Sequence, residues 1–442
     1  MNAHEPLPDT RPHLVVVGGG FGGLWATRAL ASAPLRITLV DRGNHHLFQP
    51  LLYQVATAGL SAPDIAAPLR HILRGQANVT VLMDEATAID ADARAVRLRD
   101  GGAIGYDYLL LATGATHAYF GHDDWAPHAP GLKTLDDALR IRRRILSAFE
   151  KAELEDDPEK RRALLTFAIV GGGPTGVELA GTLGEIARHT LKREFRRIDP
   201  RHARVLLLEA GPRVLSSFPE SLSAKAQRQL ERLGVEIRTG VPVTHIDAGG
   251  VTLGDDTLGE DALGKERIAT HTVLWAAGVA ASPLARSLGV PLDRAGRVSV
   301  ADDLSVPGHT DIFIAGDLAT LQSNGKPVPG VAPAAKQMGT HVAATLRARI
   351  DGRAAAPFRY RDWGNLATIG RRAAVVDLGK LRFSGFLAWS FWLAAHIFFL
   401  IGFRNRLVVL LDWAVAYWTH QRNARIILGE DDSAQSRSTR QA

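Results

Sequence analysis

The sequence predicts an α/β fold of two doubly wound domains, followed by a C-terminal region of amphipathic helices. Two segments, 13–23 (HLVVVGGGFGG) and 167–176 (FAIVGGGPTG), each combine an apolar strand, a glycine turn and the start of a helix. Each is followed by a second apolar strand that ends in an acid, 37–41 (ITLVD) and 205–209 (VLLLE). Because strands that alternate with helices form parallel sheets covered on both faces, this repeat predicts two such sheets.

A later buried strand, 311–317 (DIFIAGD), ends in Gly-Asp and follows the second repeat. We expect it to complete the first domain, which is then discontinuous in sequence. The predicted organisation is a first domain of residues 11–125 and 290–350, a second domain of residues 126–289, a C-terminal membrane-association region of residues 357–428 and a disordered tail of residues 429–442.

The amino-acid composition excludes several kinds of reactive group. The 442 residues include 43 glycines but no cysteine, which excludes disulfides, thiolate nucleophiles and cysteine-ligated metal centres. We predict no metal site, since His396 has no second ligand at metal spacing. The first thirteen residues are polar and contain no apolar signal core, so secretion is not expected.

The first glycine motif predicts a phosphate cradle. Gly18, Gly20 and Gly23 fit the pattern G-x-G-x-x-G, in which the glycines allow a tight turn, approach of a pyrophosphate and close packing of helix on strand. Asp41 follows Gly18 by 23 residues, near the spacing of a carboxylate that binds ribose hydroxyls. These features predict a Rossmann-like site for a dinucleotide.

Gly171, Gly173 and Gly176 repeat the motif, and Glu209 is the corresponding acid. It follows Gly171 by 38 residues because a basic, helix-compatible insert (183–202) intervenes. A carboxylate here repels a 2′-phosphate and favours NADH over NADPH, although Arg213 nearby could soften that preference. The alternative is that Glu209 is only a solvated strand end.

Two dinucleotide units together with a Gly-Asp strand are typical of a flavoprotein. Asp317 would end its strand at the ribityl or pyrophosphate region of FAD, and Leu318 would open the next helix. With no cysteine in the chain, electrons from NADH must leave through the flavin itself.

From residue 13 to about 426 the chain resembles type II NADH dehydrogenases. These are single-subunit NADH:quinone oxidoreductases that hold FAD non-covalently, pump no protons and lie on a membrane surface. The segments that carry the resemblance are VVVGGGFGGL (15–24), HHLFQPLLYQVATAG (45–59), LLLATGA (109–115), AIVGGGPTGVELAG (168–181), LLLEAGPRVL (206–215), WAAGV (275–279) and IFIAGDLA (312–319).

The resemblance implies roles for further residues. Glu178 would lie near the contact of nicotinamide and flavin and could relay protons, although an acid in the first turns of a helix can also be favoured only by the helix dipole. Phe48, Gln49 and Pro50 would lie beside the isoalloxazine ring. The remaining residues assigned to the cofactors are Phe21, Gly22, Arg42, Thr113, Gly114, Thr175, Ala277, Gly278 and Lys336.

The quinone motif of the family, Ala-Gln-x-Ala-x-Gln, corresponds here to residues 332–337, with Pro333 in place of the first glutamine. The resemblance implies that Gln337 bonds a quinone carbonyl and that Lys336 stabilises developing negative charge. The alternative is a helix start with a solvated lysine.

The C-terminal region predicts a membrane contact. Residues 386–403 contain no charged side chain, and the segment 371–425 carries eight Lys/Arg against two Asp, a net charge of +6 that equals that of the whole chain. Basic residues that flank an apolar segment favour an anionic lipid surface over nucleic acid. We expect two helices joined by a basic turn on the cytoplasmic face of the plasma membrane; a dimer interface and a true membrane span are the alternatives.

The sequence thus predicts an FAD-dependent NADH:quinone oxidoreductase. A soluble NADH-dependent reductase of a small electron-carrier protein is the enzymatic alternative, with the C-terminal aromatic residues used for dimerisation. A membrane-bound flavoprotein that senses the NADH/NAD⁺ ratio is the non-enzymatic one.

Overall fold

The computed structural model describes residues 10–254, 265–419, 421–422 and 424–427. By their internal contacts the residues form two compact units. The first unit comprises the described residues of the ranges 1–47, 66–116 and 279–363, and the second comprises those of the ranges 48–65, 117–278 and 364–442.

The α-helices of the described ranges are α1 (Phe21–Ala29), α2 (Leu52–Ala56), α3 (Ala62–Ile65), α4 (Leu69–Leu73), α5 (Leu135–Leu154), α6 (Pro158–Leu164), α7 (Pro174–Glu185), α8 (Glu220–Arg232), α9 (Ala332–Ile350), α10 (Phe386–Phe399) and α11 (Phe403–Thr419).

The strands are β1 (His13–Val17), β2 (Arg36–Asp41), β3 (His45–Leu47), β4 (Ala66–Pro68), β5 (Val79–Met83), β6 (Ala86–Asp90), β7 (Ala95–Leu98), β8 (Ala103–Gly105), β9 (Tyr108–Leu111), β10 (Ala115–His117), β11 (Thr166–Val170), β12 (Arg204–Glu209), β13 (Val235–Thr239), β14 (Val243–Asp247), β15 (Gly250–Leu253), β16 (Glu266–Ala269), β17 (Thr272–Trp275), β18 (Val279–Ala281), β19 (Val298–Ser299), β20 (Ser305–Val306), β21 (His309–Ile314), β22 (Ala319–Thr320), β23 (Gln322–Ser323), β24 (Lys326–Pro327), β25 (Asn365–Gly370), β26 (Ala373–Asp377) and β27 (Arg382–Ser384).

The first unit is built on a six-stranded sheet in the order β20-β21-β9-β1-β2-β5. Its strands from β21 to β5 are parallel, and β1 lies between β9 and β2, so that Val15 pairs with Thr38 and Leu109. Strand β1 is buried along its whole length, as expected for a parallel strand covered on both faces. The Gly-Asp strand β21 joins this sheet beside β9.

The second unit repeats this plan with the parallel sheet β13-β12-β11-β17. An antiparallel sheet, β25-β26-β27, packs against α7 and α10. Helix α5 begins at a capping box in which Thr134 and Asp137 each bond the backbone N–H of the other. The predicted fold class of two Rossmann-like sheets and C-terminal helices is confirmed.

One local prediction is wrong. Leu318 does not open a helix, because Gly316–Leu318 is a single 3₁₀ turn that continues into β22. Helix α6 is capped by Asp157, which accepts hydrogen bonds from the N–H groups of Glu159 and Lys160.

The compact units also differ from the predicted domain limits. Residues 48–65 group with the second unit because α2 packs on α5 and α7. The predicted disordered tail, 429–442, lies outside the described residues.

The C-terminal region contains the two expected apolar helices, α10 and α11, but its arginines do not form the turn between them. Arg404 and Arg406 belong to α11, and Arg406 donates to the carbonyl oxygens of Phe398 and Leu400 at the end of α10. These bonds satisfy carbonyls that a helix end leaves free. Within the described ranges, no helix has both the length and the apolar character needed to cross a membrane.

Candidate functional site

The first glycine loop forms a cradle that side chains would fill. Gly18 has φ +105°, and a Cβ there would lie 2.4 Å from the carbonyl oxygen of Ala112. A Cβ on Gly23 would lie 1.9 Å from the carbonyl oxygen of Gly18, so strand and helix meet here backbone to backbone. At Gly20, by contrast, nothing lies within 4 Å of the Cβ position, which leaves open space beside the backbone for a phosphate.

Asp41 fixes this loop from the end of β2. Its carboxylate accepts hydrogen bonds from the N–H groups of Gly19 at 2.6 Å and Gly43 at 2.7 Å. The neighbouring Arg42 is exposed, Phe21 is buried, and Gly22 faces Ala315 so closely that an added Cβ would lie 3.2 Å from the alanine methyl.

The next two strands of the same sheet bring the other predicted FAD residues to this edge. Thr113 and Gly114 follow β9, and Asp317 follows β21, while Gly18 follows β1. Because these are neighbouring parallel strands, their carboxyl ends share one edge of the sheet, where ligands of such folds bind. The Thr113 hydroxyl is buried without a hydrogen-bond partner in the described part of the chain. The open cradle and this orphaned hydroxyl fit a bound dinucleotide.

Lys336 and Gln337 lie in the first turns of α9. The Lys336 ammonium lies 4.4 Å from the ring centre of Trp25, and burial, followed by the charge of Arg28, lowers the pKa of this lysine. It is therefore not the fully solvated lysine of the alternative interpretation. Pro333 falls in the first turn of α9, where proline is well tolerated.

The amide nitrogen and the amide oxygen of Gln337 both bond the backbone of Arg361. Its nitrogen donates to the carbonyl oxygen of Arg361 at 3.0 Å, and its oxygen accepts from the N–H of the same residue at 2.9 Å. In this arrangement the side chain holds the backbone of residue 361, and the second N–H of the amide is the donor that a quinone carbonyl would use.

The second glycine loop has the same geometry as the first. Gly171 has φ +109°, and an added Cβ would lie 2.5 Å from the carbonyl of Ala276 and 2.6 Å from Cα of Ala277. A Cβ on Gly176 would lie 1.8 Å from the carbonyl oxygen of Gly171, whereas the Cβ position of Gly173 is open. Thr175 is half-buried in the first turn of α7, and Gly278 lies against the ring of Phe120.

Glu209 is the counterpart of Asp41 in the second unit. It accepts hydrogen bonds from the N–H groups of Gly172 at 2.5 Å and Gly211 at 2.7 Å, so it is not merely a solvated strand end. The Arg213 guanidinium donates to the carbonyl oxygens of Leu215, Ser216 and Phe218. These three bonds fix the guanidinium of Arg213 on the loop that follows β12.

Glu178 lies on α7, and burial raises the pKa of its carboxyl to about 8 against the opposing hydrogen bond from the Thr368 N–H. Such a carboxyl is mostly protonated at pH 7 and can lose its proton near neutral pH, as a proton relay requires. Sequence reasoning selected this residue, but its unusual pKa depends on the packing of α7 against β25.

The segment 48–54 contributes residues that sequence reasoning used only in part. Gln49 donates to the carbonyl oxygen of Lys133 at 3.3 Å. Tyr53, which the sequence analysis did not select, is buried, and burial and then the nearby Glu178 raise the pKa of its phenol well above 10. Gln54 donates to the Tyr53 hydroxyl at 2.9 Å and accepts from the Trp413 indole at 2.7 Å.

Tyr53, Gln54 and Trp413 line a cavity of about 120 Å³ in the second unit. Its aromatic wall is formed by Tyr53, Trp389, Trp392, Trp413 and Tyr417, and its polar wall by Gln54, Thr182, Glu185, His189, Thr368, Arg371 and Arg422. No sequence signal marked Glu185 and Arg422, which are 237 residues apart and form a 3.2 Å ion pair.

His396 packs against Trp392 on its own helix, α10. Its Nδ1 lies 2.7 Å from the Trp392 carbonyl oxygen, its ring stacks on Trp392, and burial lowers its pKa to about 4. Among the described residues no group of three or more potential ligands could hold a metal ion.

Comparison with known proteins agrees with this geometry. Residues 12–339 match the family of pyridine nucleotide-disulphide oxidoreductases, and residues 363–419 match the NDH2 C-terminal domain. The chain is 46% identical to a type II NADH:quinone oxidoreductase, Ndh, of Mycobacterium tuberculosis, over 97% of this chain and 93% of the relative. A second mycobacterial enzyme of that description, NdhA, is 44% identical over 95% of this chain and 90% of its own length.

The fold is also that of a solved NDH2 structure from Plasmodium falciparum in complex with NADH. The two agree with a TM-score of 0.86 at 20% identity, over 95% of this chain and all of the other.

The paired glycine loops and the family match define the class: the chain is a pyridine nucleotide-disulphide oxidoreductase by fold, although it has no cysteine with which to reduce a disulfide. It binds FAD and NADH. Within that class it belongs to the type II NADH:quinone oxidoreductases.

Proposed function

We propose that this protein oxidises NADH and reduces a membrane quinone while it lies on the cytoplasmic face of the plasma membrane. The observation that carries the proposal is the duplication of one dinucleotide cradle, each copy with its own acid, in a chain whose residues 371–425 combine apolar helices with excess positive charge. When bound, FAD supplies the hydride acceptor for NADH and the two-electron donor for the quinone.

We assign FAD to the first unit and NADH to the second. In the first, the open space at Gly20, the carboxylate of Asp41 and the orphaned hydroxyl of Thr113 support its assignment to FAD. In the second, the carboxylate of Glu209 on the Gly172 N–H supports NADH in preference to NADPH, because it would repel a 2′-phosphate.

Glu178 is the proposed proton donor to the reduced quinone. Its pKa near 8 keeps the carboxyl protonated at pH 7, and Thr368, whose N–H bonds it, also lines the aromatic cavity. The buried hydroxyl of Tyr53 is close to Glu178, and Tyr53 lines the same cavity as Thr368. This hydroxyl offers a second hydrogen-bonding group for a quinone oxygen.

We assign the approach of the quinone to this cavity rather than to Gln337. The cavity combines an aromatic wall with a polar one, and its lining includes residues of α10 and α11, the helices proposed to face the lipid. The Gln337 amide is already held by the backbone of Arg361.

The lipid contact rests on the exposed side chains of α10 and α11. Phe398, Phe403 and Trp418 are 71%, 83% and 80% exposed, with Leu387, Leu410 and Leu411 also more than half exposed. Apolar side chains of this size, flanked by arginines, are typical of helices that lie in the membrane interface.

The test is steady-state oxidation of NADH by the purified FAD-bound protein, with and without a short-chain quinone. We expect rapid turnover only when the quinone is present, with one quinol formed for each NADH consumed. NADH oxidation that depends on an acidic carrier protein and never on quinone would support the soluble reductase instead. Negligible turnover with every acceptor would support the sensor.

A further inference from the structure

A buried histidine outside the glycine motif bonds the backbone of the first glycine loop. His46, on β3, is 2% exposed, and its Nδ1 lies 3.0 Å from the carbonyl oxygen of Gly19. Because a carbonyl can only accept, Nδ1 carries the hydrogen and donates it. Burial, followed by the nearby charges, lowers the pKa of this imidazole to about 4, so the ring is neutral at pH 7.

The Gly19 residue is thereby held on both sides. Its N–H donates to Asp41 at 2.6 Å, and its carbonyl accepts from His46. In a trans peptide the C=O and N–H groups point in opposite directions, so a fixed Gly19 carbonyl turns the N–H of Gly20 away from His46. Gly20 is the position where the cradle is open, and a backbone N–H is the group that a pyrophosphate needs there.

The second unit provides an internal comparison for this arrangement. Gly172 is the counterpart of Gly19: its N–H donates to Glu209 at 2.5 Å, and its carbonyl accepts from the backbone N–H of Leu215 at 2.7 Å. Both cradles therefore hold the same peptide group by an acid on one side and an N–H donor on the other. Only in the first unit is that donor a side chain.

An apolar side chain would fill the His46 position at less cost if packing were its whole role. The imidazole lies against Phe21 and Trp25, with ring centres 5.0 and 5.7 Å away, and its Nε2 is buried without a partner in the described part of the chain. Leaving a buried ring nitrogen unpaired is unfavourable. The bond to Gly19 accounts for the presence of a histidine here.

We propose that His46 is a positioning residue for FAD, one that orients the Gly19–Gly20 peptide toward the cofactor pyrophosphate. The proposal rests on the assignment of FAD to the first glycine loop. In this role the His46 side chain acts through the backbone of the loop and takes no part in the reaction itself.

Two variants separate the hydrogen bond from the packing. Asparagine in His46→Asn places an N–H close to the position of Nδ1, whereas His46→Phe keeps a ring but removes the donor. We expect H46F to raise the dissociation constant for FAD by about tenfold, the usual effect of losing one hydrogen bond, and H46N to stay within about threefold of the wild type. The measurement is quenching of flavin fluorescence when FAD is titrated into the apoprotein.

Two further readouts exclude a general structural effect. The affinity for NAD⁺ should not change in either variant, since Leu215 provides the donor in the second unit. The apoproteins of H46F and H46N should unfold at the same temperature. An H46F protein that binds FAD as tightly as the wild type would overturn the proposal, as would equal loss of FAD from both variants. If the wild-type apoprotein took up no FAD, the assignment of the cofactor itself would fail.

Discussion

At the scale of single residues, backbone hydrogen bonds to carboxylates define both cofactor cradles. Asp41 and Glu209 each bind the N–H of the residue after the first motif glycine, Gly19 or Gly172, and a further N–H two residues beyond the acid. Bonds of this kind hold a carboxylate and the glycine turn rigidly with respect to each other. The acid and the turn are therefore one binding element, although more than 20 residues separate them in the first unit.

The raised pKa of Glu178 predicts how quinone reduction depends on pH. Below pH 8 its carboxyl is protonated and can donate to a quinone, so quinone reduction by the wild type should decline as the pH rises through about 8. Glu178→Gln should lower kcat by about 100-fold, a usual contribution of general acid catalysis, and should remove this decline. The measurement is kcat for a short-chain quinone between pH 6 and 9.

The control is Glu220→Gln, which alters an exposed acid at the start of α8 and should leave the profile unchanged. Stability offers an independent check. Because folding raises the pKa of Glu178 from 4.5 to about 8, the folded state binds more protons than the unfolded state between these values, and stability falls as the pH rises through this range. A Glu178→Gln protein with an unchanged pH dependence in both experiments would contradict the assignment.

At the scale of elements, glycines set how closely helices approach strands. Helix α7 packs on β25, and a Cβ on Gly181 would lie 1.7 Å from the carbonyl oxygen of Ile369. This approach places Thr368 against Glu178, so one backbone contact supports the position of the proposed proton donor. Helix propensity alone would favour alanine at this position.

Gly181→Ala is therefore expected to destabilise the protein, although the same change in an unpacked helix adds about 1 kcal/mol of stability. We expect a loss of about 3 kcal/mol, since a clash with backbone cannot be relieved by a rotamer change. Urea unfolding measures it. Gly75→Ala is the matched control, because nothing lies within 4 Å of its Cβ position, and its effect should stay within about 0.5 kcal/mol. Equal stability of the two variants would show that α7 and β25 do not meet as described.

At the scale of the whole molecule, the excess positive charge and the exposed apolar side chains fall in the same part of the sequence. Residues 371–425 carry the full net charge of +6, and they also contain Phe398, Phe403 and Trp418. Basic and apolar groups together bind anionic lipid more strongly than either does alone, since electrostatic attraction and burial of apolar area add.

Phe403→Ser combined with Trp418→Ser should weaken binding to anionic vesicles by at least about tenfold, because each large side chain contributes roughly 1.5–3 kcal/mol when it leaves water. NADH oxidation with a water-soluble acceptor should be unaffected. Flotation with anionic and with uncharged vesicles measures the binding. Leu154→Ser, at an apolar residue 76% exposed on α5, is the control. If the double variant instead changed the oligomeric mass and left flotation intact, the helices would be a dimer interface.

Local patterns of hydrophobicity, glycine and charge were enough to predict the two parallel sheets, their glycine loops, the paired acids and the apolar, basic segment 371–425. The sequence also singled out Glu178 through a family resemblance. Its errors were local ones, such as the helix expected at Leu318, where Gly-Asp is followed by a short turn and a strand.

The contacts that these residues make, in contrast, could be seen only in the folded protein. It holds the Gln337 amide on Arg361, lowers the pKa of Lys336 over Trp25, pairs Glu185 with Arg422 and places His46 under Gly19. None of these follows from spacing, because each depends on contacts between segments that are distant in sequence or on the exclusion of water by packing. Hydrogen bonding and desolvation act at the distances the fold creates, and the sequence does not state those distances.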